Sequence, residues 1–270
     1  MDLEHELQQH VQRLAVEIGV RPAGSAANHA ALAYIHGVFT ASGLEVEQQD
    51  YACPAWTCDS TRLMRAGVAL EAVANAFSPP CDVTAPVVTA CTVAELDAAD
   101  ITGKLVLLYG DLTHAPLSPK SWFLKSDRDA HILTRLETAA PAALLTVQAA
   151  PGSHVRLIED AELALPSATL PAEVGLALLR DLPEHLHLEI HSRCEPGRAA
   201  NLVARKPGRN GARYGKLVLC AHLDTKVDTP GAMDNASGVA VLLALARQCS
   251  GQELPFDVEW IAFNSSNSRR

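Results

Sequence analysis

Apolar residues recur at Leu3, Leu7, Leu14 and Ile18, a spacing that predicts an opening helix. RPAGSAANHA (21–30) is a turn feeding a second helix. Ser25 is its candidate N-cap, the run continues through Phe39, and Gly43 ends it. LEVEQQDY (44–51) starts in alternation and predicts a strand. From 52 to about 196, short apolar strands and helices take turns. GKLVLLYGD (103–111) is an apolar strand between glycines, and SDRDAHILTRLETAA (126–140) is a helix capped by Ser126 or Asp127. AALLTVQ (142–148) is a buried strand, and LPSATLPAEVGLALLRDL (165–182) reads as strand, Pro turn and helix. EHLHLEIHSR (184–193) alternates cleanly as a strand. After EPG (195–197) a separate strand, RAANLVARKPG, is expected. GKLVLCAHLD (215–224) is a continuous apolar strand of the kind buried on both faces of a sheet. A helix (NASGVAVLLALARQC, 235–249) and a strand (PFDVEWIAFN, 255–264) come after it. Strand, helix, strand in this order predicts an α/β protein with a parallel sheet.

A length of 270 residues suits about two domains. The 52–196 region carries enough apolar elements for a core of its own. With 48% hydrophobic and 20% charged residues the chain is globular in composition. A net charge of −9 and the lack of any Lys/Arg-rich stretch argue against nucleic acid as a partner. The acidic start MDLEHELQQH is unlike a secretory signal, and no window reaches the roughly 18 apolar residues of a membrane span. Seven scattered cysteines without a Cys-x-x-Cys pair suggest a reduced, cytoplasmic protein. Cys220 and Cys249 are expected as small core residues. Cys53 and Cys58 could pair if a leader had been removed.

The chemistry concentrates in CAHLDTKVDTPGAMDNASGVA (220–240). His222 and Asp224 are two apart at the end of an apolar strand and therefore share a face. The carboxyl ends of such strands are where open α/β sheets bind ligands. A neutral imidazole there can ligate a metal, and a carboxylate beside it can orient the ring. Asp234 comes later, in a Gly-bounded turn at a helix N-terminus. Taken singly, Asp234 reads as a helix cap shared with Asn235 or Ser237, and His-x-Asp as a polar strand end. Together, at this spacing, they point to a metal site. Elsewhere, His185, His187, Glu189 and His191 share one strand face, which reads as the wet face opposite Leu186, Leu188 and Ile190. His114, Lys120, Trp122 and Lys125 lie in a long surface loop that could contact a substrate.

In order along the chain, NLVARKPG, KLVLCAHLDT, PGAMDNASGVAVLLALAR and VEWIAFNS resemble the core of the dinuclear-zinc aminopeptidase family. That group includes bacterial leucyl aminopeptidases and glutamate carboxypeptidase II. The resemblance implies a zinc-exopeptidase (phosphorylase/hydrolase-like) fold with a mixed, mostly parallel sheet, present in part as residues 1–51 and 197–270. GKLVLLYGD, AAPAALLTVQ and LPSATLPAEVGLALL resemble a protease-associated domain, so 52–196 would be a smaller inserted α/β domain. The resemblance makes His222 a ligand of one zinc and Asp234 a bridge between two. Asp224 joins the catalytic set by supporting His222, and the Asp234–Asn235 peptide becomes a candidate cis bond. RPAGS (21–25) is similar to a family turn near the active site. The implied reaction is aminopeptidase-type hydrolysis of a peptide or aminoacyl substrate, with homo-oligomers allowed and neither nucleic acid nor membrane involved.

The family pattern then breaks. Its Glu-Glu pair, general base and next ligand, is due just after a strand ending like AFNS, where Ser266 and Asn267 stand. The remaining family ligands, an Asp and a His, have no counterpart here. A Ser-Arg-Arg ending is what a Glu-Glu codon pair yields when read one base out of frame. The expectation is a C-terminally truncated peptidase, inactive and poorly stable alone. The alternative is a non-catalytic binding or scaffolding protein on the same fold.

Overall fold

A computed structural model describes residues 2–152, 155–209 and 215–264. The helices are α1 (Leu3–Val11, continued by a π-type turn Gln12–Ile18), α2 (Ala26–Ala41), α3 (Val93–Ala98), α4 (Asp127–Ala139), α5 (Ala172–Arg180) and α6 (Ser237–Ser250). The strands are β1 (Glu45–Arg65), β2 (Val68–Leu70), β3 (Val73–Ala74), β4 (Cys81–Ala90) and β5 (Leu105–Leu108). They continue with β6 (Ala143–Val147), β7 (Ser167–Leu170), β8 (His185–Lys206), β9 (Lys216–His222) and β10 (Asp257–Phe263). The α/β class read from the pattern is the class observed. Among the described residues, no helix is long and apolar enough to cross a membrane.

The chain divides into two compact units. The first combines residues up to Ala55 with those from Pro196 onward, and the second is Trp56–Glu195. In the first unit, β10 lies between the end of β8, to which it is antiparallel, and β9, to which it is parallel. The parallel β9–α6–β10 crossover is the arrangement the sequence order predicted. Leu14, Ile35, Phe39, Val239, Leu243 and Trp260 are fully buried members of one core built by the α1 continuation, α2, α6 and the strands. Ser25 caps α2, its hydroxyl accepting from the Asn28 amide at 3.0 Å. Gly43 stands just past the helix with φ +76°, as a terminating glycine should.

The second unit has β4, β5, β6 and β7 side by side and parallel. The start of β8 runs antiparallel on β4, and β3 runs antiparallel on β7. Every residue of β5, β6 and β7 is buried. Ser126, rather than Asp127, caps α4 by accepting from the Asp129 amide. Leu186, Leu188 and Ile190 point inward while His185 and His191 stay exposed, as the alternation implied.

Four expectations are corrected. The buried face of α1 carries Glu6 and His10, whereas Leu3 is 44% exposed. The reason is pairing: Glu6 accepts from both Nε and Nη2 of Arg247 on α6, and His10 Nδ1 lies 2.6 Å from the Tyr34 hydroxyl. EPG does not separate two strands, because β8 runs unbroken from His185 to Lys206. β9 is not buried on both faces, since Leu217 is 43% and Val218 47% exposed. Among the described residues it has a strand partner on one side, β10. Cys220, on the same strand, is accordingly exposed, and Cys249 is half-buried rather than core. Cys53 and Cys58 are free thiols.

Candidate metal centre

His222 ends β9, held in register by Phe263 of the parallel β10. The Leu223 amide donates to the Phe263 carbonyl at 2.7 Å, which carries the ladder one residue past His222, with Asp224 next. The strand pairing thus delivers His222 and Asp224 to the carboxyl end of the sheet. The loop returns at Gly231, whose φ of +58° suits glycine. A Cβ there would lie 2.5 Å from both the Asp234 carbonyl oxygen and Thr225 Cγ2, so the loop closes too tightly for a side chain. Ala232–Ala236 form a π-type turn in which Asp234 and Asn235 leave helical geometry. The Asp234–Asn235 peptide is cis, as the resemblance implied.

This turn resolves the reading of Asp234 as a cap. Asn235 Oδ1, not Asp234, accepts from the Gly238 amide at 3.1 Å at the start of α6. The Asp234 carboxylate points instead to His222, with Oδ1 2.7 Å from Nε2. On the far side of the ring, Nδ1 lies 3.4 Å from Asp224 Oδ1 and 3.2 Å from the Asp224 carbonyl oxygen. The burial is graded: the Asp224 side chain is 8% exposed, His222 27% and Asp234 86%. A buried carboxylate stands behind the ring and an open one in front of it.

The donor set fits a zinc ion. Zinc takes imidazole nitrogen and carboxylate oxygen at about 2.0–2.2 Å, which puts two tetrahedral ligands about 3.3 Å apart. The Nε2 and Oδ1 atoms need to part by only about half an ångström to accept one. Asp224 lies beside Nδ1, where metal-bound histidines commonly have a carboxylate. Among the described residues, no group of three or more His, Cys, Asp or Glu side chains is poised to hold a metal. Ser266 and Asn267, at the expected Glu-Glu positions, lie outside the described residues. The stripe on β8 is satisfied without a metal: His187 contacts Asp82 at 2.7 Å, and His191 contacts Glu189.

Two neighbours of the site were not singled out by sequence. Arg21 is fully buried, its guanidinium among backbone carbonyls of the same loop. Burial pulls its pKa down, and the Asp224 carboxylate opposes that shift. The Tyr51 hydroxyl is buried without a hydrogen-bond partner among the described residues. Burial first, then Cys53 and Asp224, push its pKa up. RPAGS was visible as a turn, but no periodicity marks which of its residues turns inward. Tyr51 sits in a polar, exposed-looking alternation that hides it.

Residues 201–265 match the family model of Peptidase family M28. This segment takes in the end of β8, β9, the 223–236 loop, α6 and β10. The chain is 25% identical over 240 residues to a probable lipoprotein aminopeptidase of Mycobacterium tuberculosis, covering 85% of this chain and 45% of that protein. Its fold resembles a zinc aminopeptidase from Bacillus subtilis (TM-score 0.78, 24% identity, covering 98% of this chain and 62% of that one). An aminopeptidase from Aneurinibacillus sp. strain AM-1 is similar in fold (TM-score 0.73, 23% identity, 98% and 63%). The M28 segment thus sits in a fold shared with zinc aminopeptidases. The chain spans about half the length of the curated relative it matches.

Proposed function

We propose that His222 and Asp234 are zinc ligands in a centre for aminopeptidase-type hydrolysis of peptides. Asp224 would orient His222 from behind. The observation that carries the reading is the convergence of His222 Nε2 and Asp234 Oδ1 at 2.7 Å, with a buried carboxylate on Nδ1. Zinc at this point supplies Lewis-acid polarisation of a carbonyl and a water of lowered pKa. The contribution of the chain is to hold the ring by Asp224, fix its tautomer and keep Asp234 open to solvent. A carboxylate has two acceptor oxygens, which is what bridging a second ion requires. Peptide as substrate class, and aminopeptidase rather than carboxypeptidase, are supported by the M28 match and by the activities named for the relatives. Zinc centres use three or four protein ligands, and among the described residues two side chains converge here, so weak zinc binding is the expected outcome for this centre.

The test is zinc titration of the 270-residue chain beside an aminoacyl-anilide assay. Weak uptake that vanishes in His222→Ala and Asp234→Ala, with no turnover, is expected. Uptake indifferent to both substitutions would overturn the metal assignment. Tight binding of two equivalents with turnover would overturn the expectation of a weak site.

A further inference from the structure

We propose that Arg21 is a positioning residue of the metal loop, setting the distance between the strand end that carries His222 and Asp224 and the turn that carries Asp234. The inference rests on the zinc-centre reading above. Arg21 Nε donates to the carbonyl of Leu223, the residue between His222 and Asp224, at 2.7 Å. Nη1 donates to Pro230 at 2.6 Å and Nη2 to Gly231 at 3.2 Å, at the other end of the loop. Nη1 also reaches the carbonyls of Leu14 and Gly19, at 3.1 and 3.0 Å. One rigid planar group therefore grips both ends of the loop and ties them to the N-terminal helix. The Gly231 carbonyl also accepts from the Ala236 amide at 2.9 Å, so the connection runs from Arg21 into the turn that holds Asp234. The backbone of Arg21 adds a second clamp: its amide donates to Thr225 Oγ1 at 2.9 Å, and Asn28 Nδ2 donates to its carbonyl at 3.2 Å.

The charge is the informative part. Arg21 is 0% exposed, and burying a guanidinium is costly before any compensation. An aliphatic side chain would fill the space without that cost. What the guanidinium adds is a fixed fork of donors, which lysine lacks. Metal ligands have to be held within about 0.5 Å of their working positions, and a loop with Gly231 at its hinge does not do that unaided.

The experiment compares the full chain with Arg21→Lys and with Phe39→Leu, a core change in the same unit whose side chain makes none of the loop's hydrogen bonds. Zinc affinity is read by competition with a chromogenic chelator. Loop geometry is read from the visible spectrum of the cobalt-substituted protein and from amide hydrogen exchange over 224–236. Arg21→Lys should weaken zinc about tenfold or more, alter the cobalt spectrum and speed exchange in that loop. Phe39→Leu should lower the unfolding midpoint and leave all three unchanged. Equal zinc affinity in Arg21→Lys and the parent, or a loss matched by Phe39→Leu, overturns the proposal. If the parent takes up neither metal, the zinc reading fails, and exchange alone decides: faster exchange confined to 224–236 supports the anchor, and unchanged or uniform exchange overturns it. If Arg21→Lys does not fold, Thr225→Val replaces it, with a loss of affinity or loop protection supporting the proposal and no change overturning it.

Discussion

The pentapeptide Gly-Lys-Leu-Val-Leu occurs twice, at 103–107 and at 215–219, with opposite fates. Both copies begin with a left-handed glycine, φ +65° at Gly103 and +82° at Gly215. Both are parallel strands. Leu105, Val106 and Leu107 are fully buried, whereas Leu217 and Val218 are 43% and 47% exposed. Among the described residues, β5 has β4 and β6 on its two sides, and β9 has β10 on one. A local run of apolar residues is enough to make a strand, but burial belongs to the neighbours.

The sharpest way to break this comparison is to truncate equivalent leucines. Leu105→Ala should cost about 2–5 kcal/mol, the usual loss at a packed site. Leu217→Ala should cost less than about 1 kcal/mol, because much of that side chain is already in water. Denaturant unfolding combined with unit-resolved hydrogen exchange would measure both, and equal costs would mean that β9 is covered in solution.

The two copies also feed different structures. β5 leads into a 3-10 turn at Gly110–Thr113, and β9 leads to His222 and Asp224. Asp224→Asn should lower zinc affinity about 10- to 100-fold, as loss of an outer carboxylate behind a ligating histidine does. An unchanged affinity by chelator competition would remove Asp224 from the centre.

Acid should act on the first unit through its buried pair. Burial holds the His10 pKa below its ordinary value, so the unfolded chain takes up that proton first and stability falls as pH drops through the usual histidine range. The hydrogen bond from Arg247 holds Glu6 below the usual carboxylate range, so its stabilisation is complete above that range and is lost as pH falls through the depressed folded value. Thermal midpoints should thus decline in two steps on acidification. Glu6→Gln should flatten the lower step, and a persistent lower step would assign it to another group.

A last comparison tests what the copies share. Gly103→Ala and Gly215→Ala should each cost about 1–2 kcal/mol, because a positive φ penalises any L side chain and none of the described residues crowds either position. Clearly unequal costs would show that the turn conformation, too, depends on context.

Much of the fold was legible. Ser25, Ser126 and Gly43 sit at helix ends where capping chemistry places them, and the Leu186–Leu188–Ile190 alternation reports the buried face directly. The α1 face was misread because pairing across helices allows Glu6 and His10 to be buried where apolar periodicity favours Leu3. The His222–Asp224–Asp234 cluster was visible because its spacing is local, two residues and then ten. Arg21 was not, because its partners Leu223, Pro230 and Gly231 are about two hundred residues away in sequence and are backbone carbonyls, which any residue carries.

The sequence alone determined helices α1, α2, α4, α5 and α6, the parallel order of β9, α6 and β10, and the identity of the metal-ligand candidates. These depend on propensity, capping and short-range spacing. Only the tertiary structure decided that one Gly-Lys-Leu-Val-Leu run is core and the other half exposed. It also decided that Asn235 rather than Asp234 accepts from the first turn of α6, and that a guanidinium from the N-terminal segment grips both ends of the 223–231 loop. Those outcomes depend on which surfaces meet across long stretches of chain, and local pattern carries no record of that.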